Sequence, residues 1–127
     1  MIEPGAVMDA LRSVRISNIC DEPEIHKKIM AALDAAGIGY KHEYPLISHK
    51  RFDFWISGIV IEVKKVKPPK DRLLIQLDRY TAVPEVRALI VVFRNFQGAM
   101  KGLALPDTMN GKPIYLMSLN RNWGIAF

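Results

Sequence analysis

The chain has 127 residues and a formal net charge of +5, with 50% hydrophobic and 24% charged residues. This size and balance predict a single soluble domain covering residues 1–127. No uncharged apolar run approaches the roughly 18 residues of a membrane span, and the first residues lack the basic and apolar blocks of a signal peptide. We therefore expect a cytoplasmic protein with no membrane partner. Cys20 is the only cysteine and there are three histidines, which rules out an internal disulfide and argues against a structural zinc site.

The spacing of apolar and turn-forming residues predicts an alternation of helices and strands. Asp21 is placed to cap a helix in which apolar residues recur every three or four positions until Gly37 ends it. In chain order the pattern predicts a short helix within 7–16, a helix over 21–37, strands over 40–46, 51–57 and 59–66, a helix over about 71–82, and strands over 88–93 and 114–119. The continuous apolar run 88–93 is typical of a strand covered on both faces. We therefore predict an α/β fold, a central mixed sheet flanked by helices.

Residues 51–64 carry the strongest functional signal in the chain. Two alternating strands flank Ser57-Gly58, which is suited to a two-residue hairpin turn. With this turn, Asp53 lies directly opposite Glu62, and Lys64 shares their face. The other face is predicted to hold Phe52, Phe54, Ile59, Ile61 and Val63. Because opposed like charges destabilise a hairpin, a divalent cation held between the two carboxylates is the simplest reason for the arrangement.

A second motif lies on the helix predicted to follow the hairpin. Gln76 and Tyr80 are four residues apart and therefore share one face of that helix. Each motif is common when it occurs alone, because E-x-K is frequent on half-solvated strands and a Gln–Tyr pair on amphipathic helices. The two together, on consecutive elements, are more specific.

This combination resembles the PD-(D/E)XK nuclease superfamily, and in particular its RecB-like branch, which carries a Q-x-x-x-Y motif after the E-x-K strand. The resemblance covers residues 21–93 and implies a restriction-endonuclease-like αβββαβ core. Phe52 stands where the superfamily's name has a proline. The segment 111–114, Gly-Lys-Pro-Ile, is also similar to short phage and prophage nucleases.

The resemblance implies a catalytic site that uses Mg²⁺ or Mn²⁺. Asp53 and Glu62 supply hard oxygen ligands suited to such an ion, and the carbonyl of Val63 would be a further ligand. Lys64 would orient or deprotonate the attacking water, or stabilise charge on the phosphate. Whether one metal ion or two are bound is left open.

The same resemblance implies supporting catalytic residues on the two helices. Gln76, with Tyr80 on the same helix face, would help to hold the lysine or the substrate. An acidic residue of the first core helix would complete the metal site. Glu22 is favoured because it lies on the apolar stripe that faces the sheet, whereas Glu24 has an alternative role in the helix cap. Glu43 is a lesser candidate, and His26 is interpreted as a packed histidine rather than a ligand.

The charge distribution predicts DNA as the partner. Basic residues crowd the segment after the hairpin, and the predicted nucleic-acid-binding residues are Lys65, Lys67, Lys70 and Arg72. The expected function is that of a metal-dependent phosphodiesterase acting on DNA, an endonuclease whose substrate preference is left open. Specificity for a sequence or for branched junctions is one alternative. So short a chain would then need a homodimer or a partner, and the apolar tail with Trp123, Ile125 and Phe127 is a candidate interface.

Two alternatives stay open. The first is a nucleic-acid-binding domain that has kept the fold and lost the chemistry. The joint presence of Asp53, Glu62 and Lys64 argues against it, because the loss of any one would inactivate the site. The second is a basic assembly or ribosome-associated protein, which would leave the opposed carboxylates unexplained.

Overall fold

The computed structural model describes residues 1–16, 21–47, 50–64, 69–94 and 105–119. Within these ranges the chain forms three helices and six strands. They are α1 (Pro4–Leu11), α2 (Glu22–Ala35), β1 (Lys41–Ile47), β2 (Lys50–Ile56), β3 (Ile59–Lys64), α3 (Lys70–Thr81), β4 (Ala88–Phe93), β5 (Thr108–Met109) and β6 (Lys112–Ser118). None of the described helices is long and apolar enough to cross a membrane.

All the described strands join one mixed sheet in the order β1-β2-β3-β4-β6-β5. The first three strands are antiparallel, β3, β4 and β6 run parallel, and β5 returns antiparallel to β6. The predicted α/β class with a mixed sheet and helices is therefore confirmed. From α2 to β4 the elements also follow the predicted order, helix, three strands, helix, strand.

Two helix starts show how closely local sequence sets the boundaries. The Asp21 carboxylate accepts a hydrogen bond from the Glu24 N–H at 3.0 Å, so the predicted cap of α2 is confirmed, and Gly37 follows the helix with a φ of +72°. The first helix occupies Pro4–Leu11 instead of lying within 7–16. Proline is favoured in the first turn because its φ is already helical, and Pro4 therefore starts the helix earlier than the apolar spacing indicates.

The sheet carries an apolar layer on each face. The face covered by α1 and α2 buries Ile25, Ile29, Leu33, Phe54, Ile61 and Val63 among others. The face covered by α3 buries Val60, Leu73, Leu77, Tyr80, Leu89 and Val91 among others. Strand β4 lies between the two layers and is buried along its whole length, as its unbroken apolar sequence predicts.

Phe52 lies on the face opposite to the predicted one. Phe54 packs on the α2 side as expected, but Phe52 packs on the α3 side, where its ring meets Tyr80 edge-on at 4.7 Å. The reason is local, because the regular β2–β3 pairs end at Phe54–Ile61 and strict alternation of faces ends with them. Asp53 is the residue at this break, between Phe54 on the α2 side of the sheet and Phe52 on the α3 side.

The central turn has the geometry that its sequence predicts. Ser57 and Gly58 both have positive φ, +49° and +92°, which is the conformation of a two-residue type I′ turn. The Arg87 N–H donates to the Gly58 carbonyl at 2.7 Å, and the Arg87 side chain donates to the Ser57 carbonyl and to the Ile2 carbonyl. The turn is thus tied both to the segment that precedes β4 and to the start of the chain.

Replacing Gly58 by alanine should destabilise the fold by roughly 2–4 kcal/mol. A Cβ at this position would lie 2.7 Å from the Glu85 carbonyl oxygen and 2.9 Å from Arg87 Cγ, at an unfavourable φ. Gly39 is the matched control, because a Cβ there would meet nothing within 4 Å, and Gly39→Ala should stay within about 0.5 kcal/mol of the wild type. Urea unfolding measures both variants, and equal midpoints would show that the turn tolerates a side chain.

A second tight hairpin, which was not predicted, joins β5 to β6. Asn110 and Gly111 have φ of +53° and +77°, and strand β6 begins at Lys112 rather than at 114. The Asn110 amide donates to the Thr81 hydroxyl and to the Asp78 carboxylate, so the hairpin is bonded to the end of α3. The Asn-Gly pair is a strong hairpin signal in the sequence.

Candidate active site

Two carboxylates join β2 to β3 at the open end of the central hairpin. The predicted register is confirmed up to the Phe54–Ile61 pair. At the next position the Asp53 backbone N–H donates to Glu62 Oε1 at 3.1 Å, and the Val63 N–H donates to Asp53 Oδ2 at 2.8 Å. Asp53 and Glu62 therefore meet across the strands, as predicted, and side chains replace the regular backbone ladder there.

Burial makes both carboxyl groups difficult to ionise. Glu62 is only 4% exposed; burial, and then the neighbouring Asp53 carboxylate, raise its pKa to about 8. Burial, with a smaller contribution from the Glu22 carboxylate, also raises the pKa of Asp53, although the Val63 N–H, His26 and Lys64 favour the charged form. Two adjacent carboxyl groups that resist ionisation are typical of a functional site.

On the α3 side, Lys64 borders a cavity of about 360 Å³, the α3 cleft, which is lined by Lys64, Arg72, Gln76, Arg79 and Tyr80 among others. Gln76 Nε2 donates to the Tyr80 hydroxyl at 3.2 Å, so the two share one helix face as predicted. Burial, and then the Glu62 carboxylate, raise the pKa of Tyr80 to about 12. The phenol therefore keeps its proton at neutral pH.

The α3 cleft is basic. Lys64, Arg72 and Arg79 contribute three cationic side chains, and none of the described residues that line the cleft is acidic. Arg79 was not among the predicted DNA-binding residues, although its distance of seven residues from Arg72 places both on one side of a helix. Lys70 is exposed at the start of α3. Lys65 and Lys67 lie outside the described residues.

On the α2 side, Asp53 borders a second cavity of about 370 Å³, the α2 cavity, which Glu22, His26, His42 and Glu43 also line. The ligand atoms of Glu22, His26 and Asp53 lie within 4.8 Å of one another, and His26 Nε2 is 3.9 Å from Asp53 Oδ2. Two atoms bound to one ion at roughly 2.1 Å each are at most about 4.2 Å apart. A small movement of the exposed Glu22 carboxylate would therefore let all three reach one ion.

The lining of the α2 cavity distinguishes between the candidate acidic ligands Glu22 and Glu24 of the first core helix. Glu22 lines it beside Asp53, whereas the backbone of Glu24 takes part in the helix cap. Glu43, the lesser candidate, lines the same cavity with a φ of +53°. The geometry thus favours Glu22, although its role as a ligand stays a prediction.

His26 is packed in the core, as the sequence indicates, but one of its ring nitrogens lacks a hydrogen-bond partner among the described residues. It is buried against Phe54, as a packed histidine should be, but its Nε2 is a buried atom without a hydrogen-bond partner among the described residues. Leaving such an atom unsatisfied costs roughly 1–3 kcal/mol. The i, i+4 spacing of Glu22 and His26 on one helix face was the signal available in the sequence.

The donor set fits a divalent cation. The ligand atoms that the structure brings together are carboxylate oxygens of Glu22 and Asp53 and a ring nitrogen of the buried His26, whose Nε2 has no hydrogen-bond partner among the described residues. Glu62 adjoins this group, because its Oε1 accepts from the Asp53 backbone N–H. The Val63 N–H is already bonded to Asp53, and the role of the Val63 carbonyl as a ligand stays a prediction. Searches of protein-family models, curated proteins and solved structures find no match to this chain.

Proposed function

We propose that the protein is a metal-dependent deoxyribonuclease, an endonuclease with a restriction-endonuclease-like core of the PD-(D/E)XK type. The observation that carries the proposal is the Asp53–Glu62 pair at the open end of the hairpin, where burial raises the pKa of both carboxyl groups. A purely structural role does not explain it, because an apolar pair would fill the same space without the free energy needed to bury two carboxyl groups. The Gln76–Tyr80 hydrogen bond on the next helix adds support.

The residues divide into a metal-holding group and a group that acts on the substrate. A bound divalent cation would neutralise charge on the scissile phosphate and make a bound water more acidic. Asp53 and Glu62 would hold this cation, and Glu22, His26 and the Val63 carbonyl would complete its ligands. Because the pKa of Glu62 is raised to about 8, Glu62 keeps its proton at neutral pH. Binding of the cation would displace that proton.

Lys64, two residues after Glu62 on β3, would orient or deprotonate the attacking water or stabilise charge on the phosphate. Tyr80 keeps its proton and is bonded by Gln76, so both would border the substrate from the α3 side. Oxygen ligands suit Mg²⁺ and Mn²⁺ alike, whereas an imidazole nitrogen favours Mn²⁺. We therefore expect Mn²⁺ to support cleavage at lower concentration than Mg²⁺.

Neutralising the α3 cleft should weaken DNA binding without regard to sequence. Arg72→Ala and Arg79→Ala should each flatten the dependence of log affinity on log salt by about 0.9 on duplex DNA, because each removes one phosphate contact. Lys28→Ala is the control, since Lys28 is exposed on α2 and does not line the α3 cleft. Fluorescence anisotropy in EDTA at several salt concentrations measures the slopes, and slopes equal to that of Lys28→Ala would exclude the cleft as a DNA contact.

Cleavage assays test the proposal as a whole. The protein is incubated with linear, supercoiled and four-way-junction DNA in the presence of Mg²⁺, Mn²⁺ or EDTA. We expect cleavage with either metal and none in EDTA, and relaxation of supercoiled DNA would identify an endonuclease. Cleavage in EDTA would contradict the metal mechanism. Binding of DNA without cleavage of any substrate would favour the catalytically silent domain.

A further inference from the structure

We propose that His42 is a positioning residue for the metal site. In this role it accepts the Nδ1 hydrogen of His26 and thereby directs the Nε2 lone pair of His26 toward the cation beside Asp53. The inference rests on the proposed metal site and adds a residue from β1 to it. Neither the D…E-x-K pattern nor the Q-x-x-x-Y pattern includes His42.

The two histidines are in direct contact with each other, and both contact Phe54. His26 Nδ1 and His42 Nε2 are 2.7 Å apart, with ring centroids at 5.0 Å and ring planes inclined by 71°. Both rings also pack on Phe54, at centroid distances of 5.3 and 4.9 Å. The pairing of His42 with Phe54 across β1 and β2 fixes where His42 stands. The orientation of His26 is therefore held by its helix, by Phe54 and by His42.

One proton lies between the two nitrogens, and its location decides what His26 can bind. If His42 donates it, a neutral His26 carries its own proton on Nε2, which is 3.9 Å from Asp53 Oδ2 and has no hydrogen-bond partner among the described residues. If His26 donates it, Nε2 presents a free lone pair, which is the form that binds a metal. Histidine ligands usually donate their second ring N–H to an acceptor, and such acceptors contribute about 10–100-fold to metal affinity.

A purely structural role for His42 makes different predictions from a positioning role, and the two separate with three variants. His42→Leu keeps apolar contact with Phe54 but has no acceptor, whereas His42→Gln supplies an amide oxygen that can accept the His26 hydrogen. His26→Leu removes the proposed ligand itself. Should His42→Leu not fold, His42→Phe takes its place, because it keeps a ring against Phe54.

Binding of Mn²⁺ to the full chain without DNA, followed by electron paramagnetic resonance, tests the inference. We expect His42→Leu to weaken binding by about 10–100-fold and His42→Gln to restore it to within about threefold. In a His26→Leu background His42→Leu should have no further effect, because His42 acts through His26. Unchanged affinity in His42→Leu, or an equal loss in both backgrounds, would overturn the inference.

The proposed metal site is tested separately in the same titration. Wild-type protein should bind Mn²⁺ and Asp53→Asn should not. If wild-type protein binds no Mn²⁺, the proposed metal site fails and the role of His42 fails with it. If Asp53→Asn abolishes binding while His42→Leu leaves it unchanged, only the role of His42 is wrong.

Discussion

Asp53→Asn and Glu62→Gln should each lower the rate of metal-dependent DNA cleavage by at least about a thousandfold. Each change keeps the size of the side chain but removes a charged oxygen ligand from the proposed cation. DNA binding in EDTA should persist, because the basic side chains of the α3 cleft are unchanged. Lys64→Ala should lose cleavage to a similar extent while keeping its Mn²⁺ affinity, since Lys64 acts on the water or the phosphate.

The matched controls are Asp107→Asn and Glu85→Gln, which make the same chemical changes at exposed positions and should cleave at the wild-type rate. Single-turnover cleavage of one DNA substrate compares all five variants. Full activity in Asp53→Asn or Glu62→Gln would remove the proposed metal mechanism. Full activity in Lys64→Ala alone would reassign only the activation of water.

Glu62→Gln should also make the metal-free protein more stable above neutral pH. The pKa of Glu62 is about 8 in the folded protein, whereas the ordinary pKa of a glutamate side chain is 4.5. Between these values the folded protein holds a proton that the unfolded chain has released, so the free energy of unfolding falls as pH rises. Glutamine has no charge to bury and still offers an oxygen to the Asp53 N–H. Its advantage should grow across this window to roughly 1–3 kcal/mol.

Thermal unfolding in EDTA at about pH 5.5 and about pH 8.5 checks this expectation. The two proteins should differ little at the lower pH, and Glu62→Gln should unfold at the higher temperature at the upper pH. Adding Mn²⁺ should stabilise only the wild type, because only it keeps both ligands. Parallel pH dependences for Glu62→Gln and wild type would show that Glu62 is not buried as described.

The central hairpin was predictable because its determinants are local. Ser57-Gly58 sets the turn, and a two-residue turn fixes the register on both strands, so the contact between Asp53 and Glu62 followed from the sequence. The cap at Asp21 and the apolar run of β4 are local signals of the same kind. The α/β class followed from the order of such elements.

The contacts that the sequence did not reveal depend on packing between distant segments. His26 meets His42 only because β1 pairs with β2 beneath α2, and the break at Asp53 turns Phe52 to the α3 face. Alternation of faces holds only while the backbone ladder is regular. By contrast, the Asn110-Gly111 turn depends on a local signal that the sequence itself carries.

Crystallography with Mn²⁺ tests most directly whether the carboxylates of Asp53 and Glu62 bind a divalent cation. Anomalous scattering at a wavelength sensitive to manganese identifies the ion independently of any activity. We expect a peak at roughly 2.0–2.3 Å from carboxylate oxygens of Asp53 and Glu62, with His26 Nε2 on the same ion and no such peak in Asp53→Asn. Ordered protein at saturating Mn²⁺ with no peak between Asp53 and Glu62 would contradict the proposed site.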